Sequence, residues 1–488
     1  MKKHLFLFIL TLCTLSLFAQ SSDNEDGVVK IERYNQNAYR EGQVIVKFRP
    51  ESAVCMRRNA QGKIVSASVN KVTDLLNSLG FDEADELMPL SGNQVSPRKM
   101  RAFNGEEIQD KNLSKLYCFR TSTERISMHN AIEQLQALDE VEFAEPNYIV
   151  YALASDSGTY VSEPLYSQQW GPAAIGLPAL WNQPKITSKR PVIAIIDTGV
   201  DIEHPDLAAN IWTNDKEANG IDGEDDDNNG FADDIHGWDF VNQTSKIADY
   251  NGHGTHCAGI AAAVGDNGIG ITGANPDALI MPIAVLQSDG TGDIATIIKG
   301  IDYATANGAD VISMSFGAYS YSIALEQSLA KAYSKTVLVA AAGNDGLNIN
   351  PLNGYGAPMY PAAFQFVFGV MASTKQSDLV DFSNYDYDGP ILSCYNNDET
   401  LYNYELAAAG KDIISTFPNG RYRKMNGTSM ACPLAAGAIS RLLECKNYIN
   451  KEYLFADLIH TEHYSENMPY NMDVMAAYSI QDKDRKPT

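Results

Sequence analysis

The sequence predicts an α/β protein in which a mostly parallel sheet is flanked by helices on both faces and is preceded by a small α+β domain. Two observations carry this prediction. Beyond about residue 163, short apolar runs alternate with helical patterns, which is the order of elements in a parallel sheet covered by helices. Between about residues 39 and 151, a separate group of strand and helix patterns is followed by a polar stretch of small residues, which is typical of an exposed linker.

The first residues predict a secretory signal peptide. Lys2 and Lys3 precede the apolar run FLFILTLCTLSLFA, which ends in the small residue Ala19, and this order is typical of a cleaved export signal. We assign residues 1–19 to the signal peptide and residues 20–38 to an exposed N-terminal segment. The product is therefore expected to be exported, and the sequence leaves open whether it is released or stays in a periplasm. No later stretch approaches the ~18 consecutive apolar residues of a membrane span.

The chain is strongly acidic, with a formal net charge of -24. Nucleic acid is therefore disfavoured as a partner, because phosphate contacts need clustered Lys and Arg. The cysteines have irregular spacings and no Cys-x-x-Cys pair, which disfavours a zinc cluster. An exported chain can form disulfides, but a chain of this length buries a large core without them. The sequence leaves open whether the cysteines of the second domain are paired or free: Cys257, Cys394, Cys432 and Cys445.

Residues 39–154 are assigned to the first domain, which we call the leading domain. GQVIVKFRP and the closing VEFAEPNYIVYAL have strand patterns, and SMHNAIEQLQAL between them has the spacing of an amphipathic helix. The linker stretch ASDSGTYVSEP follows. Residues 155–488 are assigned to the second domain.

The second domain contains six near-continuous apolar runs, which are typical of strands buried on both faces. The runs are PVIAIIDTG, LIMPIAVL, ADVISMSFG, TVLVAAAGN, FVFGVMA and KDIISTF. DIATIIKGIDYATANG and SIALEQSLAKAYSK lie between them and have helical spacing. Because ligands of parallel sheets bind at the carboxyl ends of the strands, reactive residues are expected where these runs stop.

Three residues with reactive side chains lie at the ends of predicted elements. Asp197 ends a strand, His253 opens the small-residue helix of NGHGTHCAGIAAAVG, and Ser429 lies at a helix start in NGTSMACP. Taken singly, they have ordinary interpretations as a turn residue, a structural histidine and a helix cap. Together they supply the acid, base and nucleophile that nucleophilic acyl transfer needs.

Three segments resemble the active-site signatures of the subtilisin-like serine proteases, in that family's chain order of Asp, His and Ser. They are DTGVDIEHPDL, NGHGTHCAG and NGTSMACP. The resemblance runs through most of residues 163–445 and implies a serine endopeptidase. In that role Ser429 attacks the peptide carbonyl, His253 accepts and returns the proton, and Asp197 orients the imidazole.

The resemblance also implies the residues that bind substrate. Asn344 matches the side-chain donor of the oxyanion hole, opposite the Ser429 N–H. Two segments are expected to pair with an extended peptide as added strands, and a third walls the pocket for the residue before the cut. These residues are Ser288, Asp289, Gly290, Thr291 and Gly292, then Ser315, Phe316 and Gly317, then Ala341, Ala342 and Gly343. Met359 near the floor favours an apolar residue whereas Asp345 favours a basic one, so the preference stays open.

By the same resemblance, the leading domain is an inhibitory propeptide. Its closing strand would lie in the cleft like a product, and protein or peptide substrates would take its place. The precursor is expected to cut itself between about Tyr151 and Glu163.

The acidic loop DGEDDDNNGFADD predicts a calcium site. Asp225, Asp227, Asn229 and Asp233 take positions 1, 3, 5 and 9 of an EF-hand-like loop. His236 stands at position 12 in place of Glu, so the loop is not a regular EF-hand, and a solvated acidic loop is the alternative. Some family members bind calcium in comparable inserts, which supports a calcium site in this loop. By analogy with the family, a weaker second site would use Glu163, Asp206 and Asn267.

The chain departs from the family pattern at Leu434, which follows Pro433 where the family usually has His. Cys257 lies one helical turn after His253, as in the proteinase K-like branch, where a free thiol lies beneath the histidine. A secreted pseudoprotease or peptide-binding protein is the alternative, although loss of a triad residue would then be expected. An esterase with the same three residues should show a Gly-x-Ser-x-Gly elbow and a different chain order.

Overall fold

The structure is a computed structural model, and it describes residues 38–58, 64–95, 100–103, 105–121, 127–153, 155–161, 165–349, 358–386, 404–448, 451–459, 463–465 and 468–480. The predicted signal peptide, Glu163 and Cys394 lie outside the described residues. No helix within the described ranges is long and apolar enough to cross a bilayer.

The leading domain is built on an antiparallel sheet. In spatial order, its strands are Phe81–Glu86, Leu116–Thr121, Tyr39–Phe48 and Val141–Ala152. The domain also contains the helices Asn70–Ser78 and Met128–Gln136 and two short hairpins, Met56–Arg58 with Ile64–Ala67 and Met100–Arg101 with Glu107–Ile108.

This sheet is buried on both faces. Successive side chains of a strand point to opposite faces, and in the strand Tyr39–Phe48 the side chains of Val44 and Val46 pack into a core with the two helices. The intervening Ile45 belongs instead to the apolar core of the second domain. The leading domain is therefore packed against the second domain through the other face of its sheet.

The second domain contains the predicted parallel sheet. Its strands, in spatial order, are Trp238–Asp239, Leu279–Ala284, Val192–Asp197, Val311–Met314, Val337–Ala341, Phe368–Ser373, Leu406–Ala409 and Met468–Asn471, with His463–Ser465 added antiparallel at the edge. The prediction of a mostly parallel sheet is confirmed.

One predicted strand lies outside that sheet. The run KDIISTF forms the strand Ile413–Phe417, which pairs antiparallel with Arg421–Asn426. Asn419 and Gly420 both have positive φ, as a tight hairpin turn requires, so the chain reverses immediately and the strand pairs with its sequence neighbour.

The helices of the second domain lie in the core and around the sheet. They are Gly171–Ala174, Leu177–Trp181, Asp215–Ala218, His253–Ala262, Ile294–Ala306, Ile323–Tyr333, Thr428–Cys445, Lys451–Ile459 and Val474–Ser479, with short 3-10 helices at Tyr166–Gln168 and Ala208–Asn210.

Two of these helices pass through the core side by side. All residues of His253–Ala262 are buried, as are nearly all of Thr428–Cys445. Gly437 permits the close packing, because a Cβ there would lie 2.5 Å from the carbonyl oxygen of Ala261. Both helices begin at the carboxyl edge of the sheet: His253 meets the end of the strand Val192–Asp197, and Ser429 contacts Ser315, which follows the strand Val311–Met314.

Candidate active site

Asp197 and His253 form a buried pair at this edge. Asp197 is the last residue of its strand and His253 the first of its helix, and Nδ1 of His253 lies 2.7 Å from Oδ1 of Asp197. The following Gly254 lets the helix start approach the strand end, because a Cβ there would lie 2.1 Å from the carbonyl oxygen of Gly199. The acid and the base of the predicted site are thus brought together by rigid elements.

Burial alone would lower the pKa of His253, but the charge of Asp197, its hydrogen bond and the contact with Cys257 together outweigh burial and raise that pKa well above its usual value. The buried carboxylate of Asp197 therefore stabilises the imidazolium that forms when His253 takes up a proton. Nε2 of His253 is buried and has no hydrogen-bond partner within the described residues. It is the ring nitrogen available to receive a proton.

Beneath the imidazole lies the thiol of Cys257. Its Sγ is 4.0 Å from Nδ1 of His253 and donates to the carbonyl oxygen of Ser429 at 3.4 Å. Burial raises the pKa of this thiol. Disulfides are absent among the described cysteines: Cys55, Cys118, Cys257, Cys432 and Cys445.

Ser429 lies in the first turn of the helix Thr428–Cys445 and is buried. Its hydroxyl is within hydrogen-bond distance of the carbonyl oxygen of Leu153, in the leading domain. It also lies 3.0 Å from the carbonyl oxygen of Ser315. The backbone N–H of Ser429 also donates to the Leu153 carbonyl, at 3.2 Å. The hydroxyl is therefore directed to a peptide carbonyl, and no hydrogen bond joins it to His253 within the described residues.

The closing strand of the leading domain occupies the cleft. Val141–Ala152 pairs antiparallel with Thr291–Asp293 on one side and with Phe316–Gly317 on the other. Two further hydrogen bonds extend the pairing to the end of the strand, from Ala152 N to Gly290 O at 2.9 Å and from Leu153 N to Ser315 O at 3.1 Å. The two segments predicted to bind substrate thus pair with an extended segment of the same chain.

The chain continues beyond Leu153 along a different strand. Ser155–Val161 pairs antiparallel with Arg421–Asn426, with Ser155 opposite Asn426. Backbone pairing therefore holds the chain up to Leu153, next to the hydroxyl of Ser429, and again from Ser155 onward.

The predicted pocket walls meet at Met359. A Cβ on Gly317 would lie 2.7 Å from the Met359 sulfur, and one on Gly343 would lie 2.9 Å from its terminal methyl. Met359 is buried in the same apolar cluster as Leu153. The exposed Asp345 accepts a hydrogen bond from the Tyr319 hydroxyl at 2.5 Å. These contacts make the floor apolar and engage the Asp345 carboxylate with a neighbouring side chain.

Asn344 follows the strand Val337–Ala341 and faces the helix of Ser429. Its Oδ1 accepts hydrogen bonds from the N–H and the hydroxyl of Thr428, both at 2.9 Å. Since one end of the amide is held in this way, its NH2 end is the one available to a ligand.

The acidic loop is arranged differently from the predicted calcium set. Asp225 and Asp227 both accept a hydrogen bond from the N–H of Asn229, so these three residues lie together. Asp233 instead turns both carboxylate oxygens to the N–H of Gly223, at 2.9 and 3.0 Å.

A different group of carboxylates lies closest together. Glu217, Asp227 and Asp234 each offer an oxygen within 4.8 Å of the other two. Glu217 accepts from the N–H of Asp227 and of Asp233, which fixes its carboxylate against the loop. Glu217 precedes the acidic motif, and Asp234 is not at one of the EF-hand ligand positions. The EF-hand spacing therefore did not predict either residue as a ligand.

The predicted weaker site is present in part. Asp206 is buried and accepts hydrogen bonds from the Asn267 side chain at 2.6 Å, the N–H of Ile271 at 2.8 Å and the Tyr422 hydroxyl at 3.1 Å. Asp206 and Asn267 are thus together, and Glu163 lies outside the described residues.

Comparison with known proteins defines the class of this protein, which is a serine endopeptidase. A model of the subtilase family matches residues 188–476, more than half of the chain. The chain belongs to the subtilase family.

Three relatives illustrate the similarity. The chain is 36% identical over 277 residues to thermitase of Thermoactinomyces vulgaris, covering 57% of this chain and 82% of thermitase. It is 35% identical over 303 residues to a thermophilic serine proteinase of Bacillus sp. (strain AK1), covering 62% of this chain and 63% of that proteinase. It is 35% identical over 272 residues to subtilisin-like protease 1 of Plasmodium falciparum, covering 54% of this chain and 38% of that protease. The chain thus spans less than two thirds of the last two proteins.

Proposed function

We propose that this protein is an exported endopeptidase that is made as a precursor and cuts its own Leu153–Ala154 bond with a triad of Asp197, His253 and Ser429. One observation carries the proposal: the Leu153 carbonyl lies at the Ser429 hydroxyl, on a strand that is paired on both sides like a bound substrate. Holding the bond there makes the first cut intramolecular, and well-oriented intramolecular reactions reach very high effective concentrations.

In the proposed reaction, Oγ of Ser429 attacks the carbonyl carbon of Leu153 while its proton passes to Nε2 of His253. Asp197 stabilises the imidazolium that forms. The proton then goes to the leaving amine of Ala154, and water hydrolyses the ester between Leu153 and Ser429. The hydroxyl must rotate from the carbonyl oxygen toward His253 before the attack.

Two donors would stabilise the negative charge that develops on the carbonyl oxygen. The Ser429 N–H already donates to this oxygen at 3.2 Å. We assign the second donor to the NH2 of Asn344, since Thr428 engages the other end of the amide. Donors fixed before the reaction begins gain the most transition-state stabilisation.

The pocket supports a preference for a medium-sized apolar residue before the cut. Leu153 stands at this position in the chain's own cleavage site, and Met359 fills the space between Gly317 and Gly343. The substrates we propose are proteins or peptides that present such a residue in an extended segment.

The leading domain would remain an inhibitor after the cut. Besides the paired strand, the carboxylate of Glu145 accepts hydrogen bonds from the Ser322 hydroxyl at 2.6 Å and from the first N–H groups of the helix Ile323–Tyr333 at 2.9 and 3.0 Å. Asn147 accepts from the N–H of Ala295 in the same way at the neighbouring helix. Helix N-termini favour such acceptors, so these contacts hold the strand in the cleft.

The test is to purify the precursor and follow its processing by mass spectrometry. The second fragment should begin at Ala154, should hydrolyse casein, and should lose this activity when a fluorophosphonate labels Ser429. A protein that binds casein without hydrolysing it would support a pseudoprotease instead. A fragment beginning elsewhere would contradict the assignment of the cleaved bond.

We further propose that calcium is a structural cofactor held by Glu217, Asp227 and Asp234. Carboxylate oxygens are the ligands that calcium prefers, and the distances among these oxygens fit one ion. Burial raises the pKa of Asp234, and the nearby charge of Asp227 contributes to the rise. A bound cation would relieve this repulsion and would link the loop to Glu217.

Chelation of calcium is expected to lower the melting temperature by several degrees. An ion that binds only the folded state adds about 2.7 kcal/mol at 100 times its dissociation constant. The measurement is best made on Ser429→Ala protein, which removes autolysis as a cause. Asp227→Asn should lower the melting temperature and abolish the effect of chelator, whereas Glu224→Gln, at an exposed site of the same loop, should leave both unchanged. A melting curve that excess chelator does not move would exclude the site.

A further inference from the structure

The leading domain contacts the second domain at a place far along the chain from its closing strand. The contact is made by described residues of the segment 87–115, which we call the insertion and which lies between the strands Phe81–Glu86 and Leu116–Thr121. It includes the hairpin of Met100–Arg101 and Glu107–Ile108. Binding the cleft does not require this insertion, since the closing strand makes the pairing described above.

Phe103 at the turn of the hairpin is inserted into the second domain. Its ring is stacked on Phe455 with centroids 4.2 Å apart, and lies 4.7 Å from the ring of Phe368 and 6.1 Å from that of Tyr333. Only 7% of Phe103 is exposed, and its N–H donates to the carbonyl oxygen of Gln365 at 2.9 Å. We call the site formed by Tyr333, Phe368 and Phe455 the aromatic pocket.

Buried polar contacts accompany this aromatic one. Asp302 accepts hydrogen bonds from the N–H groups of Leu90 and Ser91 at 2.9 and 3.0 Å, and from the Ser91 hydroxyl at 2.5 Å. Lys331 pairs with Asp110 at 2.9 Å, and both side chains are nearly inaccessible to water. Departure of the insertion would leave Asp302 and Lys331 without these partners.

The aromatic pocket lies at the opposite edge of the sheet from the active site. Phe368 begins its strand, Phe368–Ser373, and Tyr333 ends the helix that leads into the strand Val337–Ala341. Both positions are at the amino ends of parallel strands, whereas Asp197 ends its strand and Asn344 follows one. A ligand in the pocket therefore leaves the catalytic groups uncovered.

We propose that the aromatic pocket is a second binding site of the catalytic domain, that its ligand is Phe103, and that it retains the leading domain after the Leu153–Ala154 bond is cut. This rests on the proposed function. Two sites joined by one folded domain act at high effective concentration, because release of one leaves the other in place. The cleft strand therefore rebinds until Phe103 has also left.

The expected effect of removing the Phe103 ring can be estimated from other protein interfaces. Buried aromatic side chains are the usual hot spots of interfaces, and truncating one costs 2 kcal/mol or more, which corresponds to ~30-fold in dissociation constant. Phe103→Ala should therefore speed release of the leading domain from the processed complex by ~30-fold or more.

The experiment lets full-length precursor process itself and then follows two signals over time. Native mass spectrometry reports how much leading domain remains bound, and hydrolysis of a small peptide reports the open cleft. Phe103→Ala should cut Leu153–Ala154 at the wild-type rate and then gain activity faster, Phe103→Leu should be intermediate, and Val95→Ala, at an exposed site of the insertion, should match wild type.

The outcomes separate the two proposals. If no variant is cut, the proposed self-processing is wrong. If every variant is cut and Phe103→Ala releases the leading domain at the wild-type rate, the second binding site is wrong. Should Phe103→Ala fail to fold, the same criterion applies to Phe103→Leu, which keeps an apolar side chain and must still release faster than wild type.

Discussion

Replacing Ser429 with alanine is expected to lower turnover by about a million-fold and to leave the precursor uncut. The magnitude is that measured when the nucleophile of subtilisin, another member of this family, is removed. The loss is large because His253 then has no hydroxyl to activate, and only the oxyanion donors and substrate binding remain. Casein hydrolysis and the mass of the purified chain measure the two effects.

Ser188→Ala is the matched control, because this exposed serine of the same domain lies in a surface loop. It should be processed and active like wild type. Precursor of Ser429→Ala that is purified away from other proteases and is nevertheless trimmed to Ala154 would show that the chain does not cut itself. Retention of a tenth of the activity would remove Ser429 from the triad.

Asp197→Asn is expected to lower turnover by about ten-thousand-fold, the size found for the equivalent change in a Ser-His-Asp protease. The amide keeps the shape but loses the negative charge that holds Nδ1 of His253 at 2.7 Å. It can also donate to Nδ1, which would place the proton on Nε2, where the base must be free.

The remaining activity should show an altered pH profile. A general base must be neutral, so activity is lost as pH falls through the pKa of His253. Asp197 raises that pKa. Loss of its negative charge in Asp197→Asn should therefore lower the pKa of His253 and move the acid limb of the profile to lower pH. Asp277→Asn, at an exposed carboxylate, should change neither turnover nor the acid limb, and an unshifted limb in Asp197→Asn would contradict the assigned role.

The placement of Asp197, His253 and Ser429 could be predicted because each lies at an element end that local patterns reveal. The apolar run before Asp197 and the small-residue helices after His253 and Ser429 are visible in the sequence. Buried strands that stop at a common edge bring such ends together. For the same reason the parallel sheet was predictable from the alternation of runs and helices.

The features that were not predicted depend on contacts between distant segments. The strand Ile413–Phe417 was identified, but its antiparallel partner depends on a short turn that composition does not reveal. Glu217 lies outside the acidic motif and joins Asp227 only when the loop folds. Phe103 contacts Phe455 across most of the chain, and periodicity, which reports the local environment, gives no sign of that contact.

The strand pairing around Leu153 and Ala154 has a kinetic consequence. Once that bond is cut, Tyr151–Leu153 and Ser155–Val161 occupy the two halves of the groove as separate ends, each held by its own backbone hydrogen bonds. A foreign polypeptide needs both halves. The self-cleavage is thus set by chemistry, and the first cut of added protein must wait until both ends have left the groove, so activity on added protein should begin with a lag that is independent of its concentration.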